Sequence, residues 1–591
     1  MNYKKEKGIT LIALVITIII LIILAGISIN LLLGKYGIIN KAKTAQTTYQ
    51  EQAAKEKLEL ELASLYADKQ VNKDYNENEY LTKKLSEKGF IVNGNVVIVE
   101  GYQFQIDRSV PKIEIYLGKE ENTENINIGT AEQLINFRNN VNSGETYEGK
   151  TIILTNNIDL SSVCGANTEN WVPIGTQTNP FKGNFNGNNC TINSLYINDT
   201  DNNYQGLFGF VNSGTVKNII VKGSVKGGTG SAGIVAYIKD GIIDNCINEA
   251  NITHTNNYIY SENSKANITY IGGVSGLVEG TTQITNSFNK GEVTSYATGA
   301  DYILGGGIAG WISENENGVI IQKCSNSGKI QVKQINESTG YLQIGGIAGG
   351  ILGGNIIQCN NIGDICTAET SNITEFNGVG GIVGSCGKVS SSLNSKVEQC
   401  WNAGNIESSV SGGIVGVNYS GYTISNNYNT GKVICNYKCG IKTDLCPTVG
   451  GICGWNRLGT IDKCYNKGET QNNGCGYASN AGGIGTIGGI VGCNNSNISD
   501  VYNVAVIKAI PSTMDARGTV AGGIIGLSDE NSNFKNCYNT GEILTNKDTI
   551  TYIGGTVGWN INNIANTGNI YNIGKLSENS SYRGRTYRMA S

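Results

Sequence analysis

A unit built of Gly-Gly-Ile-Val-Gly, a polar loop and Asn-x-Gly returns along the chain, and this repetition limits the possible folds more than any other feature. Its cleanest copy is GGIVGVNYSGYTISNNYNTGKV, from Gly412 to Val433. Further copies read GGICGWNRLGTIDKCYNKGET from Gly450 and GGIIGLSDENSNFKNCYNTGEI from Gly522. The first glycines of the well-formed copies are Gly272, Gly306, Gly345, Gly380, Gly412, Gly450, Gly488, Gly522 and Gly554, with weaker copies near Gly206 and Gly233. Repeats of roughly 30 to 50 residues mark solenoids and propellers. The apolar runs are too short for helices and rich in Ile and Val. With 80 glycines and only 5 prolines in 591 residues, short strands and tight corners are predicted. The expected fold is mostly β: a right-handed parallel β-solenoid of about eleven repeats.

In such a stack, equivalent residues of successive turns lie about 4.8 Å apart. The recurring asparagine becomes a column: Asn248, Asn289, Asn326, Asn361, Asn402, Asn429, Asn466, Asn503 and Asn539. Placed inward at a corner, its amide can bond the turns above and below and satisfy backbone groups there. Two residues earlier, Cys246, Cys324, Cys359, Cys400, Cys464 and Cys537 share a slot that Ser287, Asn427 and Val501 fill in other copies. A slot accepting all four residue types wants a small side chain. Stacked Cβ vectors run parallel and make poor disulfide geometry, so buried reduced thiols are expected. Cys435, Cys439, Cys446 and Cys453 stand apart from that slot. Their spacing lacks a tight C-x2-C pair, which leaves a local disulfide or a metal site as alternatives to free thiols.

Between slot and asparagine come Phe288, Trp401, Tyr428, Tyr465, Tyr502 and Tyr538. Alternation along a strand turns these aromatics outward if the slot faces inward, giving a stripe suited to sugar rings or a partner's apolar surface. The three-residue step from Ile461 to Cys464 breaks strict alternation. On that count a corner intervenes and the rings fold under neighbouring loops as a satellite core. Both readings stay open.

The repeat resembles the GLUG repeat of bacterial surface proteins, named for a Gly-Leu-x-Gly core. Gly206-Leu207-Phe208-Gly209 matches it literally, and the GGIVG copies match it with Ile. The resemblance covers roughly residues 128 to 570, including Trp171-Val172-Pro173-Ile174-Gly175 and Phe181-Lys182-Gly183-Asn184 of the lead-in. Such repeats occur in large adhesins and beside the protease part of some immunoglobulin A peptidases. The resemblance implies a fold and a surface setting rather than one activity.

The amino terminus bears on that setting. After the basic MNYKKEKG, residues Ile9 to Leu33 run without a charge, long enough to span a bilayer. A glycine just before the apolar run resembles a type IV prepilin leader, which implies cleavage between Gly8 and Ile9 by a prepilin peptidase. Ala13 stands where that family carries a glutamate used in subunit assembly. The alternative is a single-span anchor that is never cut. In either case Lys4, Lys5 and Lys7 mark the cytoplasmic side, and the bulk of the chain lies outside.

The expected organisation is a leader (1–8), a membrane helix (9–34), an amphipathic helix carrying Leu58, Leu62 and Leu65 (35–75) and a small β meander (76–118). A polar linker (119–127), a cap with first turns (128–204), the repeats (205–570) and a polar tail (571–591) follow. Within the cap, Thr130-Ala131-Glu132-Gln133 is a capping box opening a helix that turns Leu134, Phe137 and Val141 inward.

Forty-four basic against 48 acidic residues, net −4, argue against a nucleic-acid partner. Catalytic β-helices need acidic or basic groups converging on one face, and the repeated positions here are Gly, Ile, Asn, Cys and aromatics. His254, the only histidine, is expected in a polar loop, and a zinc-protease motif needs two. The sequence therefore points to a membrane-anchored surface protein whose solenoid is an adhesin or binding module for a glycan or protein, with no cofactor. A pilin-like or structural spacer is the alternative, and a polysaccharide-active enzyme is third.

Overall fold

The computed structural model describes parts of 53–62, 83–107 and 114–117, and then 125–576 apart from 256–267, 298–301, 314–317, 335–341, 368–376, 388–394, 437–446, 474–484, 511–518, 530–531, 546–551 and 561–568. Gly8, Ile9, the apolar run to Leu33, and Leu65 lie outside the described residues, as do Cys439 and Cys446. Among the described residues no helix is long and apolar enough to cross a membrane. Two compact units divide the chain, Met1–Asn122 and Thr123–Ser591.

The first unit holds an antiparallel meander of four strands, Ile91–Asn93, Val96–Val99, Tyr102–Asp107 and Glu114–Leu117. All four lie within the span expected for the meander, 76–118. Ala54, Leu58 and Leu62 are buried in one cluster with Leu85, Phe90, Val97, Val99 and Phe104. The amphipathic segment and the meander, expected as separate pieces, therefore share a core.

The second unit is a stack of parallel strands. One turn shows the plan: Val410–Gly412, Val415–Asn418, Tyr422–Ser425, Tyr428–Asn429 and Val433–Cys435. Each strand pairs with its counterpart in the next turn, Gly412 on Gly450, Val415 on Cys453, Ile424 on Ile461, Asn429 on Asn466 and Val433 on Thr470. The Gly-Gly strands make a sheet of ten, and the strands that follow them a sheet of eleven. Every first glycine from Gly272 to Gly554 falls in a single row. The weaker copy at Gly233 is displaced by one residue: Ala232 occupies the first-glycine row there. The number of residues between equivalent strands differs from turn to turn without disturbing this register.

At the amino-terminal end the helix Ala131–Asn142 lies over the core. Thr130 Oγ1 accepts from the Gln133 N–H at 3.2 Å, while Gln133 Oε1 accepts from the Gly129 N–H at 2.7 Å. Leu134, Phe137 and Val141 are buried, and Phe137 packs against Tyr147, Phe181 and Phe185. Two expected boundaries move. Asn125–Ile128, assigned to the polar linker, is a strand paired in parallel with Thr151–Leu154. Ile570–Asn572, assigned largely to the tail, is a further strand on Asn533–Asn539. Both segments are polar in composition, and the stack rather than their own pattern recruits them.

Candidate functional site

The asparagine column and the glycines are one device. Each column side chain is buried, and Nδ2 donates along the stack to Oδ1 of the next turn's asparagine: Asn402 to Asn429 at 2.9 Å, Asn429 to Asn466 and Asn466 to Asn503 at 3.0 Å. The second amide hydrogen goes to the carbonyl two residues on, as from Asn429 to Gly431 at 2.8 Å. Oδ1 also accepts the Gly431 N–H at 3.1 Å. The amide therefore spends its hydrogen-bonding capacity holding a corner and a neighbour. The glycines are the room it needs. A Cβ on Gly413 would collide with the Asn429 amide and the Gly451 carbonyl oxygen, and one on Gly431 with the Gly404 carbonyl. Asn572 continues the column beyond the nine asparagines found in the sequence, accepting from Asn539 at 2.8 Å.

The residue before the thiol slot makes a left-handed corner in every repeat from Asn245 to Asn536. It is not glycine: Gln399, Asn426, Lys463, Asp500 and Asn536 sit at φ 49–56°. Such a conformation costs a lysine or glutamine about 1–2 kcal/mol, so the stack must hold it in place. Part of the return is visible in the slot. Its side chain accepts the slot N–H of the preceding turn: Cys359 N–H to Cys400 Sγ at 3.4 Å, Cys246 N–H to Ser287 Oγ at 3.2 Å, Cys400 N–H to Asn427 Oδ1 at 2.7 Å. The slot thus favours a small acceptor, which explains Cys, Ser and Asn, while Val501 fills the space alone. All described cysteines are free thiols. Burial pushes Cys246 and Cys464 up to about 12, and Cys324 and Cys400 well above the ordinary thiol range. Of the separate cysteine group, Cys435 and Cys453 are buried on different strands. Among the described residues, no three His, Cys, Asp or Glu side chains are placed to hold a metal.

The corner does not fold the aromatics away. Phe288, Tyr502 and Tyr538 are each 39% exposed, and Trp401, Tyr428 and Tyr465 are half-buried. From Trp401 they form a row on successive turns, with Tyr502 paired in register to Tyr538. The rings lie face to face. Trp401 and Tyr428 are 6.0 Å apart at 7°, Tyr428 and Tyr465 5.0 Å at 3°, Tyr465 and Tyr502 4.9 Å at 6°. Tyr571, which the sequence reading left in the tail, is 47% exposed and stacks on Tyr538 at 5.5 Å. Its signal was present, since Tyr571-Asn572-Ile573-Gly574 repeats the Tyr-Asn-x-Gly of the other turns. From Trp401 to Tyr502, and again from Tyr538 to Tyr571, each ring covers its neighbour, so these stretches offer edges and phenol ends to solvent rather than the open faces that stacking against sugar rings requires. Phe288 lies three turns away from the row, separated from Trp401 by Ser325 and Asn360.

His254 corrects a further expectation. It sits on the strand Asn251–Thr255, not in a loop, and is fully buried. Its Nδ1 lies 2.8 Å from Ser295 Oγ and its Nε2 3.0 Å from Thr269 Oγ1. Sequence reasoning also missed an apolar cluster at the position after Gly209, Ala236 and Gly276 of the early copies: Phe210, Tyr237 and Leu277, with Tyr204, Tyr270 and Trp311 against them. There the Tyr237 hydroxyl donates to the Glu279 carboxylate, and burial together with that bond raises its pKa.

The chain matches no protein-family model. It is similar to a protein of Evansella cellulosilytica named "Putative Gly-rich membrane protein", 35% identical over 136 residues. That match spans 22% of this chain and only 15% of the relative's length. Among solved structures it is similar to one from Bacteroides ovatus described as a "putative immunoglobulin A1 protease", 22% identical, covering 47% of this chain and 76% of that one at a TM-score of 0.35.

Proposed function

We propose that the chain is a membrane-anchored cell-surface protein whose right-handed solenoid is an outward-facing binding body of the adhesin type. One observation carries the binding reading: the turns bearing Ile247, Ser325 and Asn360 stack in the same register as those bearing tyrosine, so the fold does not require the aromatic row from Trp401 onward. A solvent-facing aromatic series that the fold does not demand suits recognition. Sequestering the only histidine between two hydroxyls in the core argues against His-dependent catalysis on this surface. The anchor is Ile9–Leu33 in the bilayer, and the GLUG-like repeats and the Gly-rich membrane relative fit that placement. We further propose that a prepilin peptidase cuts between Gly8 and Ile9.

The test is binding of the purified full-length chain in detergent to a panel of glycans and matrix proteins, together with protease accessibility on intact cells. Saturable binding to a panel member and digestion of the repeats from outside are expected. A chain that binds none and resists digestion until the cells are broken would overturn the proposal. The second reading, a rigid spacer, is favoured by the face-to-face stacking itself, which stiffens the row. It predicts surface exposure without a ligand.

A further inference from the structure

We infer that the row from Trp401 to Tyr571 takes a single chain of an uncharged polysaccharide, laid parallel to the solenoid axis and held side-on by ring edges and phenol hydroxyls. This rests on the binding reading above and specifies its ligand.

Four features converge on that ligand. First, from Trp401 to Tyr502 and again from Tyr538 to Tyr571, neighbouring rings stand 4.9–6.0 Å apart at 3–10° and occupy each other's faces, which leaves no room for a sugar between them. Contact there must come from the side. Second, the hydroxyls of Tyr428, Tyr465, Tyr502, Tyr538 and Tyr571 have no hydrogen-bond partner among the described residues. Each is a donor and an acceptor, and together they recur at the turn spacing of about 4.8 Å. A ligand matching them carries hydroxyls at a similar regular interval, as a linear sugar chain does.

Third, the strip is narrow. It comprises the aromatic column and the column two residues on, where Ala403, Thr430, Val504 and Ile573 are small or apolar. Six turns by one strand step give about 24 Å by 7 Å, on the order of 200 Å². A stable protein partner needs about 800 Å² on each side. One extended chain fits; a folded protein does not.

Fourth, the charge beside the strip is internally cancelled. Glu469 bridges Lys432 and Lys508, each at 2.6 Å, and Lys463 meets Asp462 at 3.0 Å. Lys467 lies over the Tyr465 ring at 5.0 Å and is one isolated cation. A polyanion would require a basic row. The corner column carries the neutral amides Gln399, Asn426 and Asn536 together with one cation, Lys463, and one anion, Asp500, so it too is balanced.

The test is isothermal titration of the full-length chain with β-glucan, mannan and N-acetylglucosamine oligomers of one to eight units, with a polyuronate series for comparison. Affinity for at least one neutral series should rise with each added unit and level off near six. The Tyr465→Phe/Tyr502→Phe variant keeps the ring stack and loses two hydroxyls. It should bind at least tenfold more weakly at an unchanged melting temperature. Binding that does not depend on length, preference for the polyuronate, or undiminished affinity in the phenylalanine variant would each overturn the inference. If no neutral series binds while the chain still binds a matrix protein, the inference falls and the broader binding reading stands. If nothing in either panel binds, both fall.

Discussion

Two columns one residue apart in sequence, the inward asparagines and the outward aromatics, obey different rules. The asparagine persists through ten successive turns, from Asn248 to Asn572, whatever lies around it. Beside it the outer position reads Ile247, Phe288, Ser325 and Asn360 before it becomes aromatic at Trp401. Inside the stack, each amide completes its neighbours' hydrogen bonds, so replacing one damages three turns. Outside, the next turn folds equally well on a serine. Constancy in the first column is explained by folding alone, whereas constancy in the second half of the outer column is not.

The largest effects should come from the inner device. Gly413→Ala drives a methyl group into the Asn429 amide and the Gly451 carbonyl. It should cost about 3 kcal/mol or more, as overpacking without an escape route does. Asn429→Ala leaves the Asn402 donor and the Gly431 N–H unpaired in the core. At about 1–3 kcal/mol for each orphaned group, a loss near 4 kcal/mol is expected by chemical denaturation. Because stability in such arrays is local and nearest-neighbour, hydrogen exchange should show the turns around residue 429 opening while the cap with Phe137 stays protected. Uniform opening across the array would break the comparison.

A smaller effect sharpens the rule for the thiol slot. Cys400→Ala removes the acceptor for the Cys359 N–H and should cost about 1–3 kcal/mol. Cys400→Ser restores an acceptor of the kind Ser287 already provides and should recover most of that loss. Equal losses would show that volume alone governs the slot. In the folded protein Cys246 and Cys464 should resist alkylation even at mildly alkaline pH, since burial pushes both thiols up to about 12. Prompt modification of either would contradict the packing.

The smallest effect belongs to the surface ions. Although partial burial opposes it, the two lysines hold the Glu469 carboxylate below the ordinary glutamate range. The folded-state value is the lower one, so this stabilisation is complete above about pH 4.3 and fades as the pH falls through the depressed value. Glu469→Gln should cost no more than about 1 kcal/mol at pH 7, and less at high salt. A difference that grew on acidification would reverse the sign of the argument.

Much of the stack was readable because its residues have no alternative. Only glycine fits against the column amide, and only asparagine offers two donors and an acceptor at that reach, so both recur visibly. The left-handed corner was not readable, because Lys463, Gln399 and Asp500 share no side-chain chemistry and the neighbouring turns impose their conformation. His254 was misplaced for a related reason: Thr-His-Thr-Asn looks polar, yet Thr269 and Ser295 from other segments make it a core residue. The aromatic row was visible as a series. That most of its faces are already taken is a property of the stacked turns, which no single repeat displays.

The separation of the two columns is most directly tested by replacing Tyr465, Tyr502 and Tyr538 together with alanine, and measuring melting and glycan binding on one preparation. Stacking between such rings contributes about 0.5–1.5 kcal/mol per pair, so the solenoid should remain folded, with its melting temperature lowered by a few degrees, while binding is lost. Retained binding, or a loss of stability as large as that of Asn429→Ala, would mean that the outer row belongs to the fold and not to recognition.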